Sequence, residues 1–335
     1  MKRKSGTTKK SLVAFGELLL RLDARGHERF VQSESFVARY TGGEANVAAS
    51  LSQWGIDTFA VSKVPDHEIG QACVNYLRRF NINTDWVLRG PGRLGILYVE
   101  AGASQRPSKV IYDRDHSCFR GIRRNEVDWN VILRGKDWFH FTGTAPALGS
   151  NVLAVLKDGL RAARRRGVTV SFDCNYRSAL WSRDEAARVL ESLMEYVDVF
   201  IGTHHDARTL FGIDAEPSES AAQLRRRFGF RCVAYTLREG ANASVNRFAG
   251  LLCDARGCDV SRAYDMQMVD RIGGGDAYSG GLIYALLMRW PRRESVEFAA
   301  AAGCLKHSIA GDFNLVSLEE VQQLATTGES GEVQR

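Results

Sequence analysis

Three consecutive glycines followed by a carboxylate make the strongest chemical signal in this chain. The segment reads Asp270-Arg271-Ile272-Gly273-Gly274-Gly275-Asp276-Ala277, and an apolar run of helical character follows from Gly280 to Met288. Glycines directly before a helix leave backbone N–H groups free to converge on an anion, with the positive end of the helix dipole behind them. A phosphate suits that place. Asp276, in the first turn beside this nest, stands where a hydroxyl could meet a phosphoryl group. It could take the hydroxyl's proton, the general-base role in phosphoryl transfer. An aspartate capping a helix after a flexible loop explains the same residues without chemistry, and spacing alone does not choose between the two.

Three further segments carry residue types that bind polar ligands. Thr41-Gly42-Gly43-Glu44-Ala45-Asn46 opens a helix; its paired glycines admit a ligand to bare backbone, and Asn46 can offer an amide to hydroxyls. A tight turn before a helix accounts for it equally well. Asp173-Cys174-Asn175-Tyr176-Arg177 follows the strand-like Val168 to Phe172, and in open α/β sheets ligands sit beyond the carboxyl ends of strands. There Arg177 could hold a carboxylate or phosphate with its planar fork. Tyr112-Asp113-Arg114 reads locally as a charged edge strand. Other phosphate and hydrolase motifs fail when checked: there is no GxxxxGK[ST], no HExxH and no GxSxG, and the segment at Gly273 is not a GxGxxG because Tyr278 stands where its last glycine would be.

The elements that must position these residues alternate along the chain. Leu12 to Phe15, Trp138 to Thr142, Val168 to Phe172, Val197 to Ile201 and Cys232 to Leu237 read as short buried strands. Ala45 to Trp54, Glu68 to Phe80, Asn151 to Arg166, Asp184 to Tyr196 and Ser220 to Phe228 read as helices between them. The alternation predicts an α/β fold, a mostly parallel sheet with helices on both faces. Glu17 to Tyr40 and Arg93 to Arg114 break the rhythm with strand-like alternation and no helix, so a small antiparallel appendage is expected from these two insertions. Gly240 to Ser261 reads as a hairpin. The expected organisation is a basic, disordered tail over 1–10, a folded domain over 11–326 with the appendage at about 17–40 and 93–114, and a disordered tail over 327–335.

Composition narrows the classes. A chain of 335 residues with 44% hydrophobic and 25% charged residues can bury a large core, which excludes disorder and fibrous rods. The net charge of +6 arises at one end: Lys2, Arg3, Lys4, Lys9 and Lys10 lie among the first ten residues, and the remaining 40 basic residues face 39 acids. A basic tail on a neutral body predicts no nucleic-acid partner, since phosphate-backbone binding needs a basic face on the folded part. Arg164 to Arg166 and Arg225 to Arg227 each precede a glycine at a helix end, where they complement the dipole. With no apolar stretch long enough to cross a bilayer and no cleavable leader, a cytoplasmic protein off the membrane is expected. Seven cysteines without a CxxC pair read as reduced thiols, not a metal site or a disulfide framework.

Taken in order, these motifs resemble the ribokinase-like, phosphofructokinase-B family of carbohydrate kinases. Gly42-Gly43 with Asn46 matches the family's amino-terminal signature and Asp270 to Asp276 its carboxy-terminal one, over a resemblance running from about Leu12 to Leu324. Within the family the likeness is greatest to the 2-keto-3-deoxygluconate kinases. Gly102 to Arg114, Asp173 to Trp181, Val269 to Asp276 and Leu305 to Asn314 carry it. The resemblance implies a three-layer fold with eight or nine strands in the central sheet. It also implies a β-lid that closes over the sugar and forms a dimer or higher homo-oligomer.

It further implies roles for individual residues. Asp276 becomes the base, and Gly273, Gly274 and Gly275 form the anion hole for the γ-phosphate. Gly42, Gly43 and Asn46 meet the sugar; Tyr112, Arg114 and Arg177 hold a keto-acid, the two arginines on its carboxylate. Tyr98, or Leu97 in a shifted alignment, matches a lid aromatic, and Asp312 faces substrate. Thr236, Arg238 and Gly240 match a nucleotide-contacting turn, joined by Asn175 and His307. Thr203 and Asp206 stand where the family has an NxxE segment that handles magnesium, the aspartate reaching Mg²⁺ through water; Asp270 matches a monovalent-cation position, that of K⁺. Gly274, where the family commonly has alanine, reads as a harmless change.

The implied activity is ATP- and Mg²⁺-dependent phosphorylation of 2-dehydro-3-deoxy-D-gluconate at its 6-hydroxyl. Two other readings stay open at this point: a kinase of the same family for fructose, ribose or a nucleoside, and a non-catalytic sugar or nucleotide sensor.

Overall fold

The computed structural model describes residues 9–240 and 245–328. Among them are fourteen strands: β1 (Ser11–Phe15), β2 (Leu19–Ala24), β3 (Phe36–Thr41), β4 (Asp57–Pro65), β5 (Asn83–Gly90), β6 (Gly95–Glu100), β7 (Lys109–Asp113), β8 (Trp138–Thr142), β9 (Thr169–Asp173), β10 (Val199–Gly202), β11 (Cys232–Gly240), β12 (Val245–Asp254), β13 (Gly257–Val260) and β14 (Tyr264–Gln267). Ten form the main sheet, in the order β13-β12-β11-β10-β9-β8-β1-β4-β5 with β14 also on β12. The strands from β5 to β11 run parallel, while β12 to β14 pair antiparallel. The count exceeds the expected eight or nine because the β12 hairpin adds strands at one edge.

Apolar runs become strands buried on both faces because helices cover the sheet on either side. The period of two shows along β10: Val199 and Ile201 enter one core while Phe200, between them, enters the other. One core packs Trp54, Tyr278, Tyr284 and Phe298 from helices Gly43–Gln53, Gly274–Leu287 and Arg292–Lys306. The opposite core packs Trp129, Phe139, Phe141, Phe172 and Phe200 with helix Ser150–Arg166. The arginine triplets lie in the last turns of Ser150–Arg166 and Pro217–Phe228, before Gly167 and Gly229 in left-handed conformation. None of the described helices is long and apolar enough to cross a membrane.

The two stretches that break the βα rhythm supply a second sheet, ordered β3-β2-β6-β7. Here β2 pairs antiparallel with β3 and parallel with β6, and β7 closes a hairpin on β6, so the appendage is mixed instead of purely antiparallel. Thr41 ends β3 and Gly43 starts a helix, so the chain passes from the small sheet into the body at Gly42-Gly43.

Three expectations need correcting. Lys9 and Lys10, assigned to the tail, sit on the body as ion pairs with Asp57 and Asp137, whose carboxylates at the strand starts supply the countercharge. At the other end Thr327 is the last residue of helix Leu318–Thr327. Cys253 and Cys258 face one another in the β12–β13 register and form a disulfide, where reduced thiols were expected throughout. The remainder of both predicted tails, and 241–244 of the predicted hairpin, lie outside the described residues.

Candidate active site

A cavity of about 640 Å³ opens where the carboxyl ends of β9, β10 and β11 meet the small sheet. Its floor is the start of helix Gly274–Leu287. Gly273 precedes that helix with φ of 87°, and a Cβ there would lie 2.2 Å from the Asp312 carbonyl oxygen, so only glycine fits. A Cβ on Gly274 would come within 2.1 Å of the His307 ring. Glycine in place of alanine is thus tied to that histidine, which corrects the reading of a harmless change. Asp276 follows in the first turn and lines the cavity.

Asp276 is held on one oxygen. Asn46, buried in helix Gly43–Gln53, donates from Nδ2 to Asp276 Oδ2 at 2.6 Å. One N–H of that amide is used on the carboxylate, and Asn46 still lines the cavity where the sequence reading set it against the sugar. Oδ1 of Asp276 lies 3.7 Å from where a Cβ on Gly43 would stand, so bare backbone faces the remaining oxygen. Burial raises the Asp276 pKa above the ordinary carboxylate range, opposed by the Asn46 bond and by the positive charges of Arg177, Lys306 and Arg238. Asp173, at the end of β9, is pushed up to about 7 by burial and by the nearby Asp276 charge.

Cations surround this floor. Arg238 on β11 lines the cavity, with Nη2 3.7 Å from the Cβ position of Gly275. Burial and the charge of Arg271 lower its pKa, and its guanidinium lies 5.4 Å from the Phe248 ring. A guanidinium against a glycine nest is a place for an anion. Arg177 stands exposed on the rim, and no carboxylate within the described residues forms an ion pair with it. Arg114 is arranged differently: its Nε lies 3.5 Å from Glu17 Oε2, and its guanidinium is 4.6 Å from the Tyr112 ring centroid. Tyr112, Arg114 and Leu97 of the small sheet thus line the same cavity as Arg177, whose charge acts on Asp276, Asp173 and Asp206.

Most of the expected residues come together here. Gly42, Gly43, Asn46, Tyr112, Arg114, Asn175, Arg177, Thr203, Asp206, Thr236, Arg238, Gly273, Gly275, Asp276 and Asp312 all line the cavity. Asn175 takes a left-handed conformation, φ 36°, with its backbone N–H on Asp173 Oδ1. Gly240 closes β11 at the edge of the undescribed 241–244.

Others are placed elsewhere. Tyr98 is on the opposite face of β6, edge-on to Phe36, because neighbouring strand residues point to opposite faces; Leu97 takes the cavity side. His307 is fully buried behind the nest, its Nδ1 2.5 Å from the Gly303 carbonyl, and burial lowers its pKa to about 3. It is a packed neutral histidine, not a ligand in the cavity. Asp270 is already occupied by protein cations. Arg21 Nη2 meets its carboxylate at 2.6 Å, and buried Lys306 bonds its carbonyl at 3.3 Å and that of Ile309 at 3.2 Å. The expected monovalent-cation position is filled from the chain itself.

Asp206 and Thr203 form a reciprocal cap on helix His204–Phe211. Oδ2 of Asp206 accepts from Thr203 N at 2.8 Å and from Thr203 Oγ1 at 2.7 Å. That T-x-x-D cap explains both residue types locally. No group of three acidic, histidine or cysteine side chains within the described residues could hold a metal by itself. A magnesium ion held by one carboxylate, waters and phosphate oxygens fits this wall, and Asp206 is the residue that faces it.

Glu44 is a buried carboxyl beside the cavity that spacing did not single out. It accepts from Thr142 N at 3.0 Å and Thr142 Oγ1 at 2.8 Å, and burial raises its pKa to about 7. Between about pH 4.5 and 7 the folded form keeps a proton that the unfolded chain has lost, so stability falls as pH rises through that window. Glu44→Gln, neutral throughout, should raise the melting temperature relative to the parent at pH 8 and hardly at pH 5. An equal shift at both pH values would refute the assignment.

Comparison with known proteins agrees with this geometry. Residues 9–314 match the pfkB family carbohydrate kinase model. The chain is 30% identical over 320 residues to 2-dehydro-3-deoxygalactonokinase from Haloferax volcanii, covering 96% of this chain and 98% of that one. It is 30% identical over 321 residues to 2-dehydro-3-deoxygluconokinase from Thermoproteus tenax, covering 94% of each. The crystal structure of 2-dehydro-3-deoxygluconokinase from Thermotoga maritima superposes with a TM-score of 0.93 at 44% identity, covering 95% of this chain and 99% of that one.

Proposed function

The chain belongs to the pfkB family of carbohydrate kinases, and from that premise we propose that it transfers the γ-phosphoryl group of ATP to the 6-hydroxyl of 2-dehydro-3-deoxy-D-gluconate. The observation that carries this reading is a single cavity lined both by a base in a glycine nest and by two guanidinium groups, Arg114 and Arg177. A neutral sugar has no use for two guanidinium groups; a keto-acid carboxylate does.

In this reading Arg114, Arg177 and Tyr112 hold the carboxylate end and leave the distal hydroxyl at Asp276. Oδ1 takes the hydroxyl proton as the O–P bond forms and the bond between the γ-phosphorus and the bridging oxygen breaks, releasing ADP. The N–H groups of Gly273 to Gly275 and the guanidinium of Arg238 receive the phosphoryl oxygens. Magnesium near Asp206, when bound, neutralises charge on the phosphates. The small sheet acts as a lid over the acceptor, excluding water that would otherwise take the phosphoryl group. Its exposed Phe36 and Ile111, which share the outer face with Tyr98, suit pairing of two lids in a homodimer.

The test is ADP release with Mg-ATP and a panel of 2-dehydro-3-deoxygluconate, its galactonate epimer, gluconate, fructose and ribose, run in sodium and in potassium buffers. Preferred turnover of a deoxy-keto-acid is expected, at equal rates in both buffers because Lys306 and Arg21 already occupy Asp270. Turnover confined to a neutral sugar would reject the carboxylate reading. The galactonate epimer is on the panel because the Haloferax volcanii relative is named for it.

A further inference from the structure

The small sheet reaches the base through a buried chain of polar contacts. Arg21 on β2 is only 2% exposed, yet its guanidinium meets three carboxylates. Nε bonds Asp23 at 2.7 Å, Nη2 bonds Asp270 at 2.6 Å, and Nη1 bonds Asp312. The other oxygen of Asp312 accepts the hydroxyl of Thr41, at the end of β3. Asn46 Oδ1, 3.2 Å from Thr41 Oγ1, shares that one hydroxyl proton with Asp312 in a three-centre bond, and the amide of Asn46 donates to Asp276 Oδ2. Every link from Arg21 to Asn46 is buried.

We propose that Arg21 is a positioning residue for the phosphoryl-transfer base, acting from the small sheet through Asp312, Thr41 and Asn46. The proposal rests on the kinase reading of Asp276. A cluster of one arginine and three acids removed from water is an expensive way to gain stability, and apolar residues of similar volume commonly do as well. What such a cluster supplies is geometry. Arg21 stands opposite Leu97 in the β2–β6 register, beside the strand whose hairpin carries Tyr112 and Arg114. The sheet that holds the acid end of the substrate is thus wired to the residue that takes the proton. Thr41 on Asn46 Oδ1 keeps the amide Nδ2 on Asp276, which leaves Asp276 Oδ1 as the proton-accepting atom facing Gly43.

Thr41→Val tests the chain at its least disruptive link, since it removes one hydroxyl at nearly constant volume. Arg21→Gln is the less useful variant because it strands three buried carboxylates and can abolish folding. For Thr41→Val the expected kcat is about tenfold lower, with KM for both substrates within about twofold, as for an interaction made chiefly in the transition state. The acid limb of the kcat–pH profile should also move to higher pH, because a carboxylate that loses a donor holds its proton more tightly. The charges facing Asp276 from other elements, Glu44, Asp173, Arg177, Arg238 and Lys306, are untouched by this change. Thr41→Ser keeps the hydroxyl and should restore both rate and limb. An unchanged kcat and limb in Thr41→Val, or a loss that Thr41→Ser shares, overturns the relay while leaving the kinase intact. Absence of turnover in the parent protein would overturn both.

Discussion

Asp276→Asn should lower kcat by about 10²- to 10⁴-fold, the range a positioned general base contributes. The amide is nearly isosteric with the carboxylate, so the start of helix Gly274–Leu287 and its nest stay as they are. What is lost is the ability of Oδ1 to take a proton. Calorimetric binding of the sugar acid and of the nucleotide should survive, whereas ADP release should nearly vanish. The raised pKa of Asp276 adds a second expectation. In the parent enzyme kcat should fall as pH drops through a value above the ordinary carboxylate range, and this limb should be absent from the residual rate of the variant. Full activity in Asp276→Asn would remove the base from the mechanism and leave positioning by the nest as the source of rate.

Arg177→Ala should lower kcat/KM for a deoxy-keto-acid by about 10- to 100-fold, as expected for losing one charge-assisted contact of roughly 1.5–3 kcal/mol. For a neutral sugar the change should be within about threefold on the same scale. Arg177 is the cleaner of the two arginines to remove. It is exposed on the rim and forms no ion pair within the described residues; because its charge also lowers the pKa of buried Asp276, the two acceptors are compared on the alkaline plateau of the rate, where the base is ionised in both proteins. Arg114 is half-buried against Glu17, whose pKa burial has already raised, and its removal would strand that acid. Equal losses for acidic and neutral acceptors would show that Arg177 serves the nucleotide phosphates, toward which it could equally turn.

These expectations draw on two kinds of information with different reach. Local chemistry was legible wherever neighbours in sequence are neighbours in space. The glycine nest with Asp276, the βα alternation and the two strand-rich insertions all appear where spacing put them. Tyr98 and Leu97 show the limit: both belong to one strand, but only pairing and packing decide which face looks into the cavity. Lys9 and Lys10 show it again, since the counterions that draw them onto the body, Asp57 and Asp137, are far away in the chain.

By itself the sequence determined the class of fold and placed three glycines and Asp276 at the start of one helix, because each follows from short-range periodicity or from a contiguous motif. Tertiary structure alone decided how those parts are coupled. Asn46 was bonded to Asp276; His307 was packed against Gly274 instead of a ligand; Asp270 received Arg21 on its carboxylate and Lys306 on its carbonyl. Each outcome depends on residues tens to hundreds of positions apart meeting in a buried space, where every polar group must find a partner. No local pattern records which partner that will be.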